Sequence, residues 1–359
     1  MTKTMTIALS ALLLATPALA QDNVVNVYNW SDYIADDTIA NFEAETGIRV
    51  NYDVYDNNEI VDAKLLAGSS GYDIIVPTGN FLERQVRAGL LLELDKSKLP
   101  NLENLDPAVM AVAAEHDPDN AHSIPYMTFT IGLGYNVAKV TEALGADAPL
   151  DTWDLLFDPE TSAKLASCGI AVLDSPTEVV GTALNYLGLD PNSESAEDLA
   201  KAEELLTAVK PNIRYFHSSQ YIDDLGNGEI CLALGYSGDV FIAADNAADG
   251  VEVGYTIPKE GSATLMDLLA IPADAPNPDN AHAFINYIMK PEVVAAITNY
   301  VYYANPNLKA TEFVDAEVKD NPGIYPPAET VAKAFALTAH SPEFEEVLTR
   351  TWTRIKTGI

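Results

Sequence analysis

Apolar and polar positions in the N-terminal quarter of the chain follow two periods in turn, one typical of strands and one of helices. Six segments show this pattern: strands at residues 24–28, 48–55 and 72–76, and helices at residues 36–46, 59–67 and 81–88. A glycine follows each helix, at Gly47, Gly68 and Gly89, as is common where helices end. This alternation predicts a parallel sheet with helices on both of its faces.

A second α/β unit follows later in the chain. Residues 196–210 place apolar side chains on one helical face, among them Leu199, Ala202 and Leu206, and residues 229–235 predict the next strand. A length of 359 residues favours about two domains, and no Pro-rich or Ser-rich linker separates the units. We therefore expect two α/β lobes, connected by strands that cross between them, with a ligand cleft at their junction.

The first twenty residues have the pattern of a secretory signal peptide. Lys3 precedes an apolar run at residues 7–14, and the segment ends in Ala18, Leu19 and Ala20. The apolar run is shorter than the ~20 residues that a membrane span needs. We expect cleavage after Ala20 and export of the remaining chain.

The charge of the chain excludes several classes of protein. It has 53 acidic and 20 basic residues, a formal net charge of −33, and it would be repelled by nucleic acid and by anionic membranes. Its hydrophobic content of 48% is too high for an acidic disordered tail. Most of the charge is expected to keep the protein soluble and monomeric.

The chain has two cysteines, Cys168 and Cys231, and their spacing matches no metal-binding motif. In an oxidising compartment, one structural disulfide is favoured over the alternative of two buried thiols.

A search for catalytic and cofactor motifs gives no match. The five histidines do not form a zinc-binding helix motif, and the chain lacks a dinucleotide-binding glycine loop, a phosphate-binding loop, a nucleophile elbow and a calcium loop. His116 and His122 lie in a polar stretch that is typical of a solvated turn. We therefore expect no metal, no cofactor and no catalytic residue.

An aromatic, hydroxyl or carboxylate side chain follows each of three predicted strands, at residues 29–33, 77–80 and 236–239. Ligands of open α/β sheets bind beyond the carboxyl ends of the strands. No Arg or Lys lies in these segments, which argues against an anion site. Carboxylates beside aromatic rings suit a cation with an apolar body, since rings cover methylenes and add a cation–π attraction of about 0.5–2 kcal/mol. The alternative is that these aromatic residues are ordinary core and turn residues.

Five longer segments resemble the putrescine-binding branch of the periplasmic polyamine-binding proteins of ABC transporters. They are YNWSDYI at residues 28–34, FLERQ at 81–85, LDKSKLP at 94–100, PNIRYFHSSQY at 211–221 and NPGIYPP at 321–327. The resemblance covers nearly the whole exported chain. It implies a type II periplasmic-binding fold with an N-terminal lobe of residues 21–131 plus about 258–303, and a C-terminal lobe of about 132–257 plus 304–359. It also implies a disulfide between Cys168 and Cys231 and a membrane permease as partner.

The resemblance further implies a set of ligand-binding residues. Those expected to cover the methylene chain are Trp30, Tyr33 and Tyr303. Those expected near ammonium groups are Ser31, Asp32, Glu178, Asp239 and Asp267. Small hydroxyl residues are usual in this family at the positions of Thr78 and Asn80.

Two further positions of the implied pocket depart from the family pattern. Tyr236 stands where a Trp is usual, and Leu265 where an aromatic residue is usual. The resemblance makes putrescine the first expected ligand, followed by spermidine, cadaverine or agmatine. Two other hypotheses are a receptor of the same fold for an amino acid or a sugar, and a secreted hydrolase that uses paired carboxylates.

Overall fold

The structure is a computed structural model that describes residues 23–358. The predicted signal peptide at residues 1–20, with its cleavage after Ala20, lies outside the described residues. Within the part of the chain that is described, no helix is both long enough and apolar enough to cross a membrane.

The strands of the described residues form one mixed sheet. They are β1 (Val24–Trp30), β2 (Arg49–Tyr55), β3 (Ile74–Ile75), β4 (Ser123–Asn136), β5 (Ile170–Val172), β6 (Tyr215–Phe216), β7 (Leu232–Tyr236), β8 (Val253–Thr256) and β9 (Thr264–Ala270). Their order across the sheet is β2-β1-β3-β9-β4-β7-β5-β6, and β8 pairs with β4 outside this path.

The prediction of a parallel sheet is right for the first unit and wrong for the sheet as a whole. β1 pairs in parallel with β2 and β3, whereas β9 runs antiparallel to β3 and to β4. β7 and β8 also run antiparallel to β4. The local pattern reports only the order of elements along the chain, so it could not reveal these pairings between distant segments.

β4 connects two halves of the sheet. It has 14 residues, about 46 Å at ~3.3 Å per residue. It pairs with β9 over residues 123–130 and with β7 over residues 131–135. The N-terminal half of the sheet therefore contains β1, β2, β3 and β9, and the C-terminal half contains β5, β6, β7 and β8. Most residues of β4 are buried, as is typical of a strand that is covered on both faces.

Helices cover both halves of the sheet. They are α1 (Thr38–Thr46), α2 (Asn58–Ala67), α3 (Gly79–Arg87), α4 (Pro107–His116), α5 (Val137–Leu144), α6 (Asp154–Phe157), α7 (Pro159–Leu165), α8 (Pro176–Tyr186), α9 (Ala196–Val209), α10 (Gln220–Gly226), α11 (Ser237–Asp245), α12 (Pro278–Ile288), α13 (Pro291–Val301), α14 (Ala316–Lys319), α15 (Ala328–Val331) and α16 (Pro342–Thr357). The four predicted helices, α1, α2, α3 and α9, begin and end within two residues of the predicted bounds.

The ends of α2 show why these predictions succeed. The side chain of Asn57 accepts a hydrogen bond from the backbone N–H of Ile60 at 3.0 Å, which satisfies one of the unpaired donors of the first helical turn. At the other end, Gly68 has a positive φ of 72°, a conformation that glycine adopts without strain.

The predicted disulfide is confirmed. Cys168 and Cys231 are bonded, with their Cα atoms 5.5 Å apart, within the usual range for disulfides. They precede β5 and β7, which are neighbouring parallel strands, so the bond lies wholly within the C-terminal half.

Candidate functional site

A buried acidic pocket lies where the two halves of the sheet meet. Trp30 is the last residue of β1 and Tyr236 the last residue of β7, so the pocket lies at strand ends, as expected for an open α/β sheet. The residues that define the acidic pocket are Trp30, Ser31, Tyr33, Asp56, Thr78, Phe129, Ser218, Tyr236, Asp239, Asp267 and Tyr303. The pocket is narrow: only about 20 Å³ of it is open to the centre of a water-sized sphere.

Asp239 lies in the first turn of α11 and is buried. Two tyrosine hydroxyls donate hydrogen bonds to its carboxylate: that of Tyr221 to Oδ2 at 2.7 Å and that of Tyr303 to Oδ1 at 2.6 Å. Burial raises the pKa of Asp239 to about 7, although both hydroxyls oppose the shift. Its charged form therefore lacks the stabilisation that a cation would supply.

Asp267 lies on β9 and faces Thr78, whose hydroxyl donates to Oδ1 of the carboxylate at 2.7 Å. Asn58 fixes Thr78 in turn, because its amide donates to the Thr78 hydroxyl at 2.9 Å and its carbonyl accepts from the Thr78 backbone N–H at 3.1 Å. Burial, together with the smaller effect of the charges of Glu178 and Asp239, raises the pKa of Asp267 to about 7.

Glu178 stands behind Tyr236 and does not line the pocket directly. It lies in the first turn of α8, only 2% exposed, and the Tyr236 hydroxyl donates to its Oε2 at 2.7 Å. Burial raises the pKa of Glu178 to about 7. Two acids with raised pKa values, Asp239 and Asp267, therefore line the pocket, and a third lies behind its wall. Each of the three accepts a hydrogen bond from a neutral hydroxyl.

Aromatic rings form the other walls of the acidic pocket. The rings of Tyr33 and Tyr303 meet edge to face, with centroids 4.8 Å apart. Phe129 meets both Tyr236 and Tyr303 edge to face at 5.5 Å. Trp30 is fixed by its indole N–H, which donates to the Val76 carbonyl at 2.8 Å. These contacts hold the ring faces in fixed orientations.

The structure brings together most, but not all, of the residues predicted for the site. Those that line the acidic pocket are Trp30, Ser31, Tyr33, Thr78, Tyr236, Asp239, Asp267 and Tyr303. Asp32 is exposed, on a backbone with a φ of 54°, and its charge contributes to the raised pKa of Asp239. Asn80 and Leu265 line a second cavity.

Three lining residues of the acidic pocket were missed by the sequence prediction. Asp56 directly follows β2 and Ser218 follows β6 by two residues, so the rule that found the other strand ends could have found both. Phe129 lies inside β4, where nothing in the local pattern marks it.

The second cavity, called here the apolar chamber, is larger, with a volume of about 660 Å³. Its walls are formed by α4, β4, β9 and the segment 304–337, together with the start of α3. The lining includes Asn80, Val109, Leu265, Met266 and Leu337. Thr78 and Phe129 line both the chamber and the acidic pocket. The two cavities are therefore neighbours.

Metal binding finds no support at either cavity. Across residues 23–358, no group of three or more His, Cys, Asp and Glu side chains is arranged to hold a metal ion. No Lys or Arg is among the described residues that line the acidic pocket. The pocket thus offers carboxylates, hydroxyls and ring faces, a set suited to ammonium groups joined by methylenes.

Two sheet halves that share one long strand, with a buried pocket at their junction, define a two-lobed α/β solute-binding protein. The family model described as bacterial extracellular solute-binding protein matches residues 37–326, and the chain belongs to this family.

Individual relatives agree with this family in sequence and in structure. The chain is 54% identical to the putrescine-binding periplasmic protein PotF of Escherichia coli (strain K12), over 98% of this chain and 96% of that protein. It is 50% identical to the putrescine-binding periplasmic protein SpuD of Pseudomonas aeruginosa (strain UCBPP-PA14), over 95% and 94%. The solved structure of a putative spermidine/putrescine ABC transporter from Listeria monocytogenes has a TM-score of 0.85 at 33% identity, over 94% of this chain and 100% of that chain. The predicted two-lobed fold is confirmed.

Proposed function

We propose that this chain captures a polyamine, with putrescine as the preferred ligand, and delivers it to an ABC permease. The observation that carries the proposal is the pair of buried carboxylates, those of Asp239 and Asp267, in a pocket whose described lining includes no basic residue. Burying a dication is costly unless each charge is paired, and these acids can supply the pairing. The relatives named for putrescine support the same ligand.

Capture would depend on movement of the two lobes. The carboxylates of Asp239 and Asp267 are 8% and 2% exposed in this conformation, so a diamine reaches them only when the walls of the acidic pocket move apart. We infer that the lobes separate to admit the ligand and close around it, and that the ligand stabilises the closed form. For the lobes we keep the boundaries given above, residues 21–131 plus about 258–303, and about 132–257 plus 304–359.

The periplasm is the compartment that fits the family and its named relatives. We infer export by a signal peptide that is cleaved after Ala20, and action as a monomer that does not bind nucleic acid. Membership of a solute-binding family decides against the alternative of a carboxylate-pair hydrolase. A receptor for amino acids would need a cationic group for the ligand carboxylate, and the described lining of the acidic pocket offers none.

A thermal-shift screen tests the proposed ligand. The purified protein is melted with putrescine, cadaverine, agmatine, spermidine, arginine and n-butylamine at equal concentrations. Putrescine should raise the melting temperature most, because it is expected to have the lowest Kd. A ligand at a hundredfold excess over its Kd stabilises the folded state by about 2.7 kcal/mol. n-Butylamine is the matched control, with one ammonium group instead of two. A larger shift with arginine than with every diamine would contradict the proposal.

A further inference from the structure

The apolar chamber is large enough to hold part of a ligand. Its volume of about 660 Å³ lies within the range of ~300–1,000 Å³ that is usual for small-molecule sites. Val109, Leu265, Met266 and Leu337 give it mainly apolar walls. Nothing in the capture of a four-carbon diamine by the acidic pocket requires a second cavity of this size.

The chamber continues from the acidic pocket. Thr78 and Phe129 contribute to both cavities. On β9, Asp267 lines the pocket and Leu265 lines the chamber. Two residues apart on a strand, their side chains point to the same face of the sheet, at a spacing of about 7 Å. A ligand held at Asp267 could therefore extend a substituent past Leu265.

The chamber offers no net negative charge for a further ammonium group, since it is lined by one acidic residue and one lysine. Asp106 is the one acidic residue among the described residues that line it, and its side chain accepts a hydrogen bond from the backbone N–H of Ala108 at 2.8 Å, at the start of α4. Lys319 also lines the chamber and would repel a cation. A buried ammonium group without a partner is costly, so the chamber suits a neutral substituent.

Asn80 offers an uncommitted amide to the chamber. It is 6% exposed and lines the chamber, and no hydrogen bond joins its side chain to another of the described residues. An amide side chain can both donate and accept. A neutral amide on the ligand would satisfy it.

We propose that the apolar chamber is a subsite for a neutral substituent that ends in an amide. The chain then also binds diamines in which one nitrogen carries a side arm with an N-acyl group at its end. The inference rests on the proposed function, because it places the two ammonium groups of the ligand in the acidic pocket. The arm then passes Leu265 and ends beside Asn80. N1-Acetylspermidine is the simplest probe of this class, since it keeps a putrescine unit with two ammonium groups and carries its third nitrogen as an amide.

Calorimetric titration of the full exported chain with putrescine, spermidine and N1-acetylspermidine tests the proposal. The acetylated ligand should bind at least about fivefold more tightly than spermidine, although it carries one charge fewer. Val109→Trp, which fills the chamber from α4, should weaken N1-acetylspermidine at least about tenfold and change putrescine binding less than about threefold. The matched control is Val347→Trp on an exposed face of α16, where Val347 is 39% exposed, and it should change neither ligand.

The outcomes separate this inference from the proposed function. The inference is overturned if spermidine binds as tightly as N1-acetylspermidine or more tightly. It is also overturned if the Val109→Trp protein binds N1-acetylspermidine and putrescine with unchanged affinity. Failure of putrescine itself to bind overturns the proposed function. If Val109→Trp does not fold, Asn80→Leu takes its place. It should weaken N1-acetylspermidine at least about threefold more than putrescine, and an equal effect on both ligands would again overturn the inference.

Discussion

The acidic pocket and the apolar chamber share two wall residues, Thr78 and Phe129, but differ in nearly every physical property. The pocket is narrow, with about 20 Å³ open to the centre of a water-sized sphere, and two buried acids line it, whereas the chamber has about 660 Å³ and mainly apolar walls. Strong discrimination comes from buried polar groups that must be paired, while an apolar cavity discriminates weakly. The pocket should therefore select the ligand by charge, and the chamber should tolerate variation in its size.

Removing a pocket carboxylate should have the largest effect. Asp239→Asn or Asp267→Asn should cost about 3 kcal/mol of putrescine affinity, roughly a hundredfold or more, because an ammonium group is left buried and underpaired. Calorimetric titration measures the loss, and circular dichroism checks that the fold is intact.

The chamber supplies a matched control for these variants. Asp106→Asn makes the same chemical change there, and Asn begins helices about as well as Asp does, so putrescine affinity should stay unchanged. An unaltered affinity for every polyamine in both pocket variants would remove the site assignment.

A change of pH should act on the pocket with the next largest effect. Asp239, Asp267 and Glu178 have pKa values raised to about 7 by burial, and an ammonium ligand pairs with the ionised forms of the two that line the pocket, Asp239 and Asp267. Putrescine affinity should therefore fall as pH drops from 8 to 6, by about tenfold for each acid that must ionise.

The stability of the ligand-free protein should change in the opposite direction. Because these pKa values are higher in the folded chain than in the unfolded chain, the folded state binds more protons between about pH 4 and pH 7. Their contribution to stability is fully present below pH 4 and is lost as pH rises through 7. Melting curves and titrations at several pH values check both slopes, and Asp239→Asn should flatten both. Affinity that stays constant from pH 8 to pH 6 would contradict the raised pKa values.

Weakening the wall between the two cavities should have the smallest effect. Phe129→Leu removes two edge-to-face contacts, with Tyr236 and Tyr303, each worth about 0.5–1.5 kcal/mol. Putrescine affinity should fall about fivefold, since the rings of the pocket lose support, while N1-acetylspermidine should lose less because the passage widens. Titration of both ligands measures the difference. An identical loss for the two would mean that Phe129 does not separate the cavities.

Local elements of the fold could be predicted from the sequence because their causes are local. The caps of α2 at Asn57 and Gly68 are visible in the sequence itself, and so are the strand ends that carry Trp30 and Asp239. The strand predicted at residues 72–76 shrinks to two paired residues in β3. Its limits depend on β1 and β9, which are distant in the sequence.

The rest of the site depends on long-range geometry. Asp32 follows β1 as predicted, but a backbone φ of 54° leaves its side chain exposed, and no residue pattern indicated that conformation. Phe129 lies in an almost fully buried stretch of β4, so burial alone could not mark it as a pocket residue. Leu265 and Asp267 lie two residues apart, yet they line different cavities. Which cavity each residue lines depends on the path of β4 and β9 through the molecule.

The burial of the pocket carboxylates has a kinetic consequence. Asp239 is 8% exposed and Asp267 is 2% exposed, so a diamine reaches them only when the surrounding walls first separate. Exchange of ligand is then gated, and the frequency of opening limits both the fastest entry and the fastest escape. Residence time would reflect the barrier to opening as much as the strength of the contacts, and a partner that holds the lobes apart would accelerate unloading without touching the ligand.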